Sequence, residues 1–228
     1  MSTLNAILQS GILWRVGAIA APPLPAVASG FPLLDAELPG GGWTPGALAE
    51  LLPAHEGIGE LRLLGPALAE LSAAGLTLAW IAPPYLPYAP ALEAAGIDLA
   101  RVLVVRARAP KDALWALEQA LASNACGAVL GWARRIAYPE LRRLALAAAG
   151  SRALAFLFRQ PEAARETTPA ALRLRLESCK GDLAVRILKR RGAPAARPVV
   201  LRPAPVVSPP AASHAVVRPL PAAIRLPA

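Results

Sequence analysis

The stretch of this 228-residue chain that comes closest to a chemical site runs from Pro53 to Leu61 and reads PAHEGIGEL. It occupies the place of a phosphate-binding loop, between an apolar run and a helical pattern. Such a loop needs glycines that turn backbone amides inward, a lysine for the β- and γ-phosphates and a hydroxyl for Mg²⁺. Gly57 and Gly59 can form the bend, but Glu60 stands at the lysine position and Leu61 at the hydroxyl position.

The charges of this loop argue against a nucleotide, because Glu56 and Glu60 place two negative charges where a polyphosphate would lie. We therefore predict a degenerate phosphate loop without a cofactor, formed by His55, Glu56, Gly57, Gly59 and Glu60. A structural zinc site is also not expected, because the chain has two histidines and no paired cysteines.

Two further groups of residues have side chains suited to binding. Tyr85 and Tyr88 lie in a proline-rich loop after an apolar run, which fits either a protein interface or a packed structural loop. Lys189, Arg190 and Arg191 form a basic cluster, which fits either contact with DNA phosphates or an acidic partner, or a solvated strand end.

The N-terminal stretch has an apolar stripe at helical spacing, formed by Leu4, Ile7, Leu8 and Ile12. Such a stripe can dock on a neighbouring molecule. We therefore predict a docking segment over residues 1–17, joined by a Pro/Ala-rich linker at 18–29 to a core at 30–192.

The elements that position these residues alternate between strand and helix. Apolar runs typical of buried strands fall at 47–52, 76–82, 102–106, 127–132 and 153–159, and helical periodicity falls at 58–71, 90–95, 111–123 and 139–149. This alternation predicts an α/β fold with a mostly parallel sheet covered by helices on both faces. Residues 172–176 and 183–187 then alternate with period two, which predicts an antiparallel hairpin at the sheet edge.

Composition limits where the chain can act. The net charge is +9, and the range 193–228 is rich in proline and alanine and has no acidic residue, so we expect a disordered basic tail there. The mean hydropathy of +0.44 suggests a membrane protein, yet the longest apolar stretch, Leu144 to Phe158, is too short and too interrupted to span a bilayer. The start MSTLNAILQS lacks a basic n-region, and Cys126 and Cys179 are lone, as expected of reduced buried thiols in a cytoplasmic protein.

The segment from Ser29 to Glu50, SGFPLLDAELPGGGWTPGALAE, resembles the opening of RecA-type cores. It has a small residue before glycine, then Leu-Asp, a glycine cluster and Gly-x-x-x-Glu leading into the first strand. Further motifs follow in order at 57–61, 80–88, 112–120, 126–132 and 189–192. Together they make the chain similar, over roughly residues 9–192, to the ImuA family, RecA-related accessory proteins of bacterial mutagenic lesion bypass.

This resemblance implies a trimmed RecA-like core that is not an enzyme. In RecA relatives the strand after the first helix delivers a glutamate that orients the attacking water, and Pro84 stands at that position here. The Walker B aspartate should follow the apolar run at 128–131, where the residue is Trp132. We therefore expect every principal catalytic position to be lost.

The resemblance also implies partners. They would be ImuB, an inactive relative of the Y-family polymerases, an error-prone DNA polymerase III alpha-type subunit and RecA itself, with weak or indirect contact to DNA and no membrane. The protein would act in SOS-induced translesion synthesis, in the cytoplasm and at the nucleoid after DNA damage. The second interpretation is a division inhibitor similar to SulA, which belongs to the same inactive RecA-like group. A RecA-type ATPase or recombination regulator is the third.

Overall fold

The computed structural model describes residues 25–191 and 197–202, and these residues form one mixed sheet with helices on both faces. The strands lie in the order β3-β2-β4-β5-β1-β6-β7-β8, and the first six of that order run parallel. Their bounds are β1 Leu48–Pro53, β2 Thr77–Ile81, β3 Val102–Val105, β4 Cys126–Trp132, β5 Leu154–Phe158, β6 Leu172–Cys179, β7 Asp182–Lys189 and β8 Val199–Leu201.

Five α-helices connect or flank these strands: α1 Pro32–Asp35, α2 Glu60–Ala73, α3 Ala89–Ala94, α4 Pro110–Ala122 and α5 Tyr138–Ala149. Residues of α1, α2 and α3 pack on one face of the sheet, and residues of α4 and α5 pack on the other. Successive strand residues alternate between the two layers: Ala49 and Leu51 face α2, whereas Leu48 lies in the α4–α5 layer. Both faces are therefore buried, which explains why the strands read as continuous apolar runs.

The predicted fold class is confirmed. Every strand and helix expected between residues 47 and 159 is present, with ends within two residues of the predicted ones. The antiparallel hairpin is also present, as β6 and β7. It joins the sheet through a parallel pairing of β6 with β1.

Two short elements were missed by the sequence analysis. Helix α1 has only four residues, too few for a periodic pattern. Strand β8 pairs antiparallel with β7, so the hairpin is not the outermost part of the sheet. Residues 199–201 lie inside the range expected to be a disordered tail, and that expectation does not hold for them, because their backbone pairs with β7 and the Leu201 side chain is buried.

The predicted linker at 18–29 also ends earlier than expected. Val27 and Trp43 exchange two backbone hydrogen bonds of 2.8 and 2.7 Å, and Ser29 is fully buried. The Ser29 amide donates to a carboxylate oxygen of Asp35 at 2.9 Å. Val27 and Ser29 are therefore tied to the core, whereas the predicted docking segment, most of the linker and the tail beyond Arg202 lie outside the described residues.

Candidate functional site

A cleft of about 1000 Å³ lies at the carboxyl edge of the sheet, where parallel α/β sheets bind ligands. The residues that end or follow five strands line it: Pro53 at the end of β1, Ala82 after β2, Ala107 after β3, Trp132 at the end of β4 and Phe158 at the end of β5. Its volume is typical of a site for a small molecule or a short peptide.

The degenerate phosphate loop forms one part of the cleft wall. It joins β1 to α2, as a phosphate loop would, and His55, Glu56 and Glu60 line the cleft. Gly57 and Gly59 have φ angles of 81° and 106°, which residues other than glycine rarely adopt. The loop thus turns at two glycines between β1 and α2.

The amides of this loop have an internal partner. The Gly57 N–H donates to Oε1 of Glu60 at 2.9 Å, and the Gly59 N–H donates to Oε2 of the same carboxylate at 3.1 Å. Glu60 is also the first residue of α2, where the helix dipole favours a negative charge. The Glu60 carboxylate therefore holds two backbone amides of the loop that bears it.

The floor of the cleft is aromatic. Trp132 stacks on Phe158 with ring centroids 4.7 Å apart and an interplanar angle of 10°, and Trp80 lies 5.9 Å from Trp132. Trp80 is fully buried, whereas Trp132 is partly exposed to the cleft. Pro84 lines the same cleft, so the two residues at the expected catalytic positions lie beside the degenerate loop.

Charged residues line the cleft in an order set by the sheet: arginines follow β3 and β4, glutamates follow β1 and β5, and Arg159, directly after β5, also lines the cleft. Arg108 follows β3, and Arg134 and Arg135 follow β4; we call these three residues the basic end. The acidic end consists of Glu56 and Glu60 after β1 and Glu162 after β5. The signal available in the sequence was the position of the arginines, each within three residues of the end of an apolar run.

The tyrosine loop lies next to this cleft. Tyr85 is 72% exposed and Tyr88 is 42% exposed, so neither ring is a core residue. A hydrogen bond with Glu56, and the negative charge of that carboxylate, raise the pKa of Tyr85 above its ordinary value. The loop therefore contacts the degenerate phosphate loop while it presents two aromatic rings to solvent, and the interface role predicted for them stays a prediction.

A cluster of buried, oppositely charged residues lies next to the acidic end of the cleft. Glu50, on β1, is fully buried and accepts hydrogen bonds from Nη1 of Arg159 at 2.9 Å and Nε of Arg173 at 2.7 Å. Arg159 also pairs with Glu166 at 2.7 Å. Burial acts to raise the pKa of Glu50, but hydrogen bonds from Arg173, Thr168 and Arg159 hold it below its ordinary value.

This cluster fixes a segment that has no α-helix. Residues 159–171 cross from β5 over β1 to β6, with only a 3₁₀ turn at Pro161–Arg165. Nη1 of Arg173 donates to the Glu166 carbonyl at 2.6 Å, which holds the crossover against the sheet. Glu50 ends the Gly-x-x-x-Glu motif of the sequence, but its partners Arg159 and Arg173 are distant in the chain and have no local sequence signal.

The three residues of the predicted basic cluster do not form one common surface. Nζ of Lys189 donates to the Thr168 carbonyl at 2.8 Å. Arg190 forms an ion pair with Glu37 at 2.7 Å and also donates to the Glu37 carbonyl. Arg191 is exposed. Two of these three side chains therefore hold neighbouring segments together, and their contact with DNA stays a prediction.

Other predicted features have simpler outcomes. The stripe of Leu4, Ile7 and Leu8 lies outside the described residues. Cys126 is half-buried and Cys179 is exposed, so the expectation of buried thiols is wrong for Cys179, which ends strand β6.

Over residues 25–191 and 197–202, no group of three His, Cys, Asp or Glu residues is placed to hold a metal ion, and no helix has the length and apolarity needed to cross a membrane.

Comparison with known proteins gives one informative similarity. Over 100 residues the chain is 32% identical to the cell division inhibitor SulA of Edwardsiella piscicida. The match covers 44% of this chain and 60% of SulA, so the chain spans less than two thirds of that relative. No protein-family model matches the chain. The chain is thus similar in part to SulA, a protein in the group that the sequence analysis had named as its second interpretation.

Proposed function

We propose that this chain is a non-catalytic protein of the bacterial DNA-damage response that works by binding other proteins. The observation that carries the proposal is the hydrogen bonding of the Gly57 and Gly59 amides to the chain's own Glu60 carboxylate. A nucleotide would have to displace that carboxylate and would gain neither a lysine nor a Mg²⁺ ligand from this loop.

The floor of the cleft supports the same proposal. An aspartate at the end of β4 would hold Mg²⁺ in an ATPase, but Trp132 stacks there on Phe158. An aromatic floor favours apolar side chains over polyphosphate and its metal ion. The fold therefore keeps the binding edge of an α/β sheet without the groups that phosphoryl transfer needs.

The first candidate role is that of an accessory protein of SOS-induced translesion synthesis, as the resemblance to the ImuA family suggests. Its partners would be ImuB, the error-prone polymerase III alpha-type subunit and RecA. What supports this role is that the resemblance extends in order over roughly residues 9–192, through the tyrosine loop to the end of β7, whereas the similarity to SulA covers 44% of the chain.

The second candidate role is inhibition of cell division, and the partial identity with SulA favours it. The partner would then be the tubulin-like protein of the division ring. Because the two roles have disjoint sets of partners, a single experiment separates them.

That experiment is affinity purification of the tagged chain from the source bacterium before and after ultraviolet damage, with quantification of the captured proteins. Enrichment of the bypass polymerases supports the first role, and enrichment of the division-ring protein supports the second. Two phenotypes provide an independent check. Loss of the gene should lower damage-induced mutation frequency in the first case, and overproduction without damage should cause filamentous growth in the second. Capture of neither set of partners would refute the proposal.

A further inference from the structure

We propose that the carboxyl-edge cleft binds a short segment of a protein partner in which an apolar side chain lies next to acidic residues. This inference rests on the proposed function, because it assigns a site to the protein binding that the proposal assumes. It is argued from the floor, the two charged ends and the unpaired arginines of the cleft.

The floor selects the apolar part of the ligand. Trp132 is partly exposed in the cleft, and its stacking on Phe158 fixes the ring in place. Ala113 and Leu114 of α4 line the same space. A rigid aromatic surface surrounded by apolar groups gains free energy when a leucine or an aromatic side chain covers it, and such anchors carry much of the affinity of protein interfaces.

The basic end selects the charged part of the ligand. Arg108 and Arg135 are exposed, and no hydrogen bond or ion pair of their side chains occurs within the part of the chain that the structure describes. Arg134 differs, because the side-chain oxygen of Gln160, once its amide is oriented to satisfy both groups, accepts from Nε and Nη2 of Arg134 at 3.0 and 3.1 Å. Two guanidinium groups thus remain to pair with carboxylates.

The acidic end argues against a nucleic acid or a nucleotide as the occupant. Glu56, Glu60 and Glu162 line the same cleft, so a chain of phosphates that reached the arginines would run past three carboxylates. A peptide can place its acidic residues at one end alone and leave neutral or basic residues at the other. The charge distribution therefore fits a protein segment better than a polyanion.

The first test is selection from a random library of displayed peptides of about twelve residues, which span roughly 40 Å in extended form at ~3.3 Å per residue. We expect the selected peptides to contain a leucine or an aromatic residue beside Asp or Glu. Their affinity should fall about tenfold or more in the variant Arg108→Glu/Arg135→Glu. Replacing the apolar anchor of the peptide by alanine should have a similar effect.

The matched control is Arg152→Glu, which reverses an exposed arginine located before β5, at the opposite edge of the sheet. All variants should keep the melting temperature of the wild type, since each changes exposed side chains. Failure to select any peptide, peptides without acidic residues, or equal affinity for both variants would overturn the proposal. So would an oligothymidylate probe that binds the wild type and loses its binding in the Arg108/Arg135 variant, because the arginines would then hold a nucleic acid.

The second test separates this inference from the proposed function. The tagged Arg108→Glu/Arg135→Glu variant is compared with the wild type in the affinity purification from damaged cells. If the wild type captures its partners and the variant captures them equally well, the cleft inference fails and the proposed function stands. If the wild type captures neither set of partners, the proposed function fails. The result of the peptide selection alone then tests whether the cleft binds a peptide.

Discussion

Replacing Glu50 by glutamine should strongly destabilise the fold. Glu50 is fully buried, and its partners Arg159 and Arg173 are only 2% and 4% exposed, so the cluster is shielded from water. Glutamine has nearly the same shape, but it carries no charge and turns an NH₂ group toward a guanidinium donor. Arg159 would then keep only the half-exposed carboxylate of Glu166, and Arg173 would keep only the backbone carbonyl of Glu166.

The expected magnitude follows from this burial. Removing one partner of a buried ion pair costs about 3–5 kcal/mol, because the remaining charge stays desolvated. For a domain of this size, a loss of that order lowers the melting temperature by roughly 10 °C. Urea unfolding followed by circular dichroism measures the change, and the slope with denaturant should stay unchanged because the exposed area is the same.

The effect should also depend on pH. Because the folded-state pKa of Glu50 lies below its ordinary value of 4.5, ionisation of Glu50 stabilises the fold above that value. This contribution is lost as the pH falls through the folded-state pKa. The stability difference between wild type and Glu50→Gln should therefore be constant near neutral pH and shrink in acid.

The control is Glu93→Gln on α3, because Glu93 is exposed and its side chain makes no hydrogen bond or ion pair among residues 25–191 and 197–202. It should change stability by less than about 0.5 kcal/mol. A loss below about 1 kcal/mol for Glu50→Gln, the size expected of an exposed ion pair, would refute the reasoning about the buried cluster.

Four further predictions follow from individual contacts. Gly131→Ala should cost about 1–3 kcal/mol of stability, since a Cβ there would lie 2.4 Å from Cδ2 of Leu117, whereas an unchanged midpoint of urea unfolding would show that α4 can shift. Glu60→Ala should speed hydrogen exchange of the Gly57 and Gly59 amides and lower stability by about 1 kcal/mol, and unchanged exchange rates would show that the carboxylate does not hold them. Leu8→Asp should weaken a partner complex with little change in the melting temperature of the core; unfolding instead would place the N-terminal segment in the core. The basic tail should give weak binding to single-stranded DNA that loses about 0.7–0.9 in log K per log salt for each phosphate contact, and a chain truncated after Arg202, which keeps β8 but lacks Arg218 and Arg225, should bind more weakly and with a shallower salt dependence.

The parallel part of the fold could be predicted because its information is local. Buried strands of five to seven residues read as apolar runs, and Gly or Pro marks their ends, as Gly75 does before β2 and Pro83 does after it. Strand β8 could not be found in this way. Its three residues are surrounded by prolines, and only pairing with β7 makes them a strand.

The site could be predicted only in part for a similar reason. The loss of the lysine and the hydroxyl was visible at Glu60 and Leu61, but the sequence suggested only charge repulsion there, not hydrogen bonds to two amides. The ionic cluster joins Glu50 to residues 109 and 123 positions away, so it depends on the strand order of the finished sheet. The meeting of the two charged ends in one cleft likewise depends on that order.

The most direct test of the central claim, that Glu60 and Trp132 have replaced a nucleotide site, is equilibrium binding of a fluorescent ATP analogue with Mg²⁺, with an active RecA protein as the positive control. We predict no saturable binding up to about 1 mM, the upper end of the range in which enzymes commonly bind their substrates. Micromolar, Mg²⁺-dependent binding that unlabelled ATP displaces would contradict the claim.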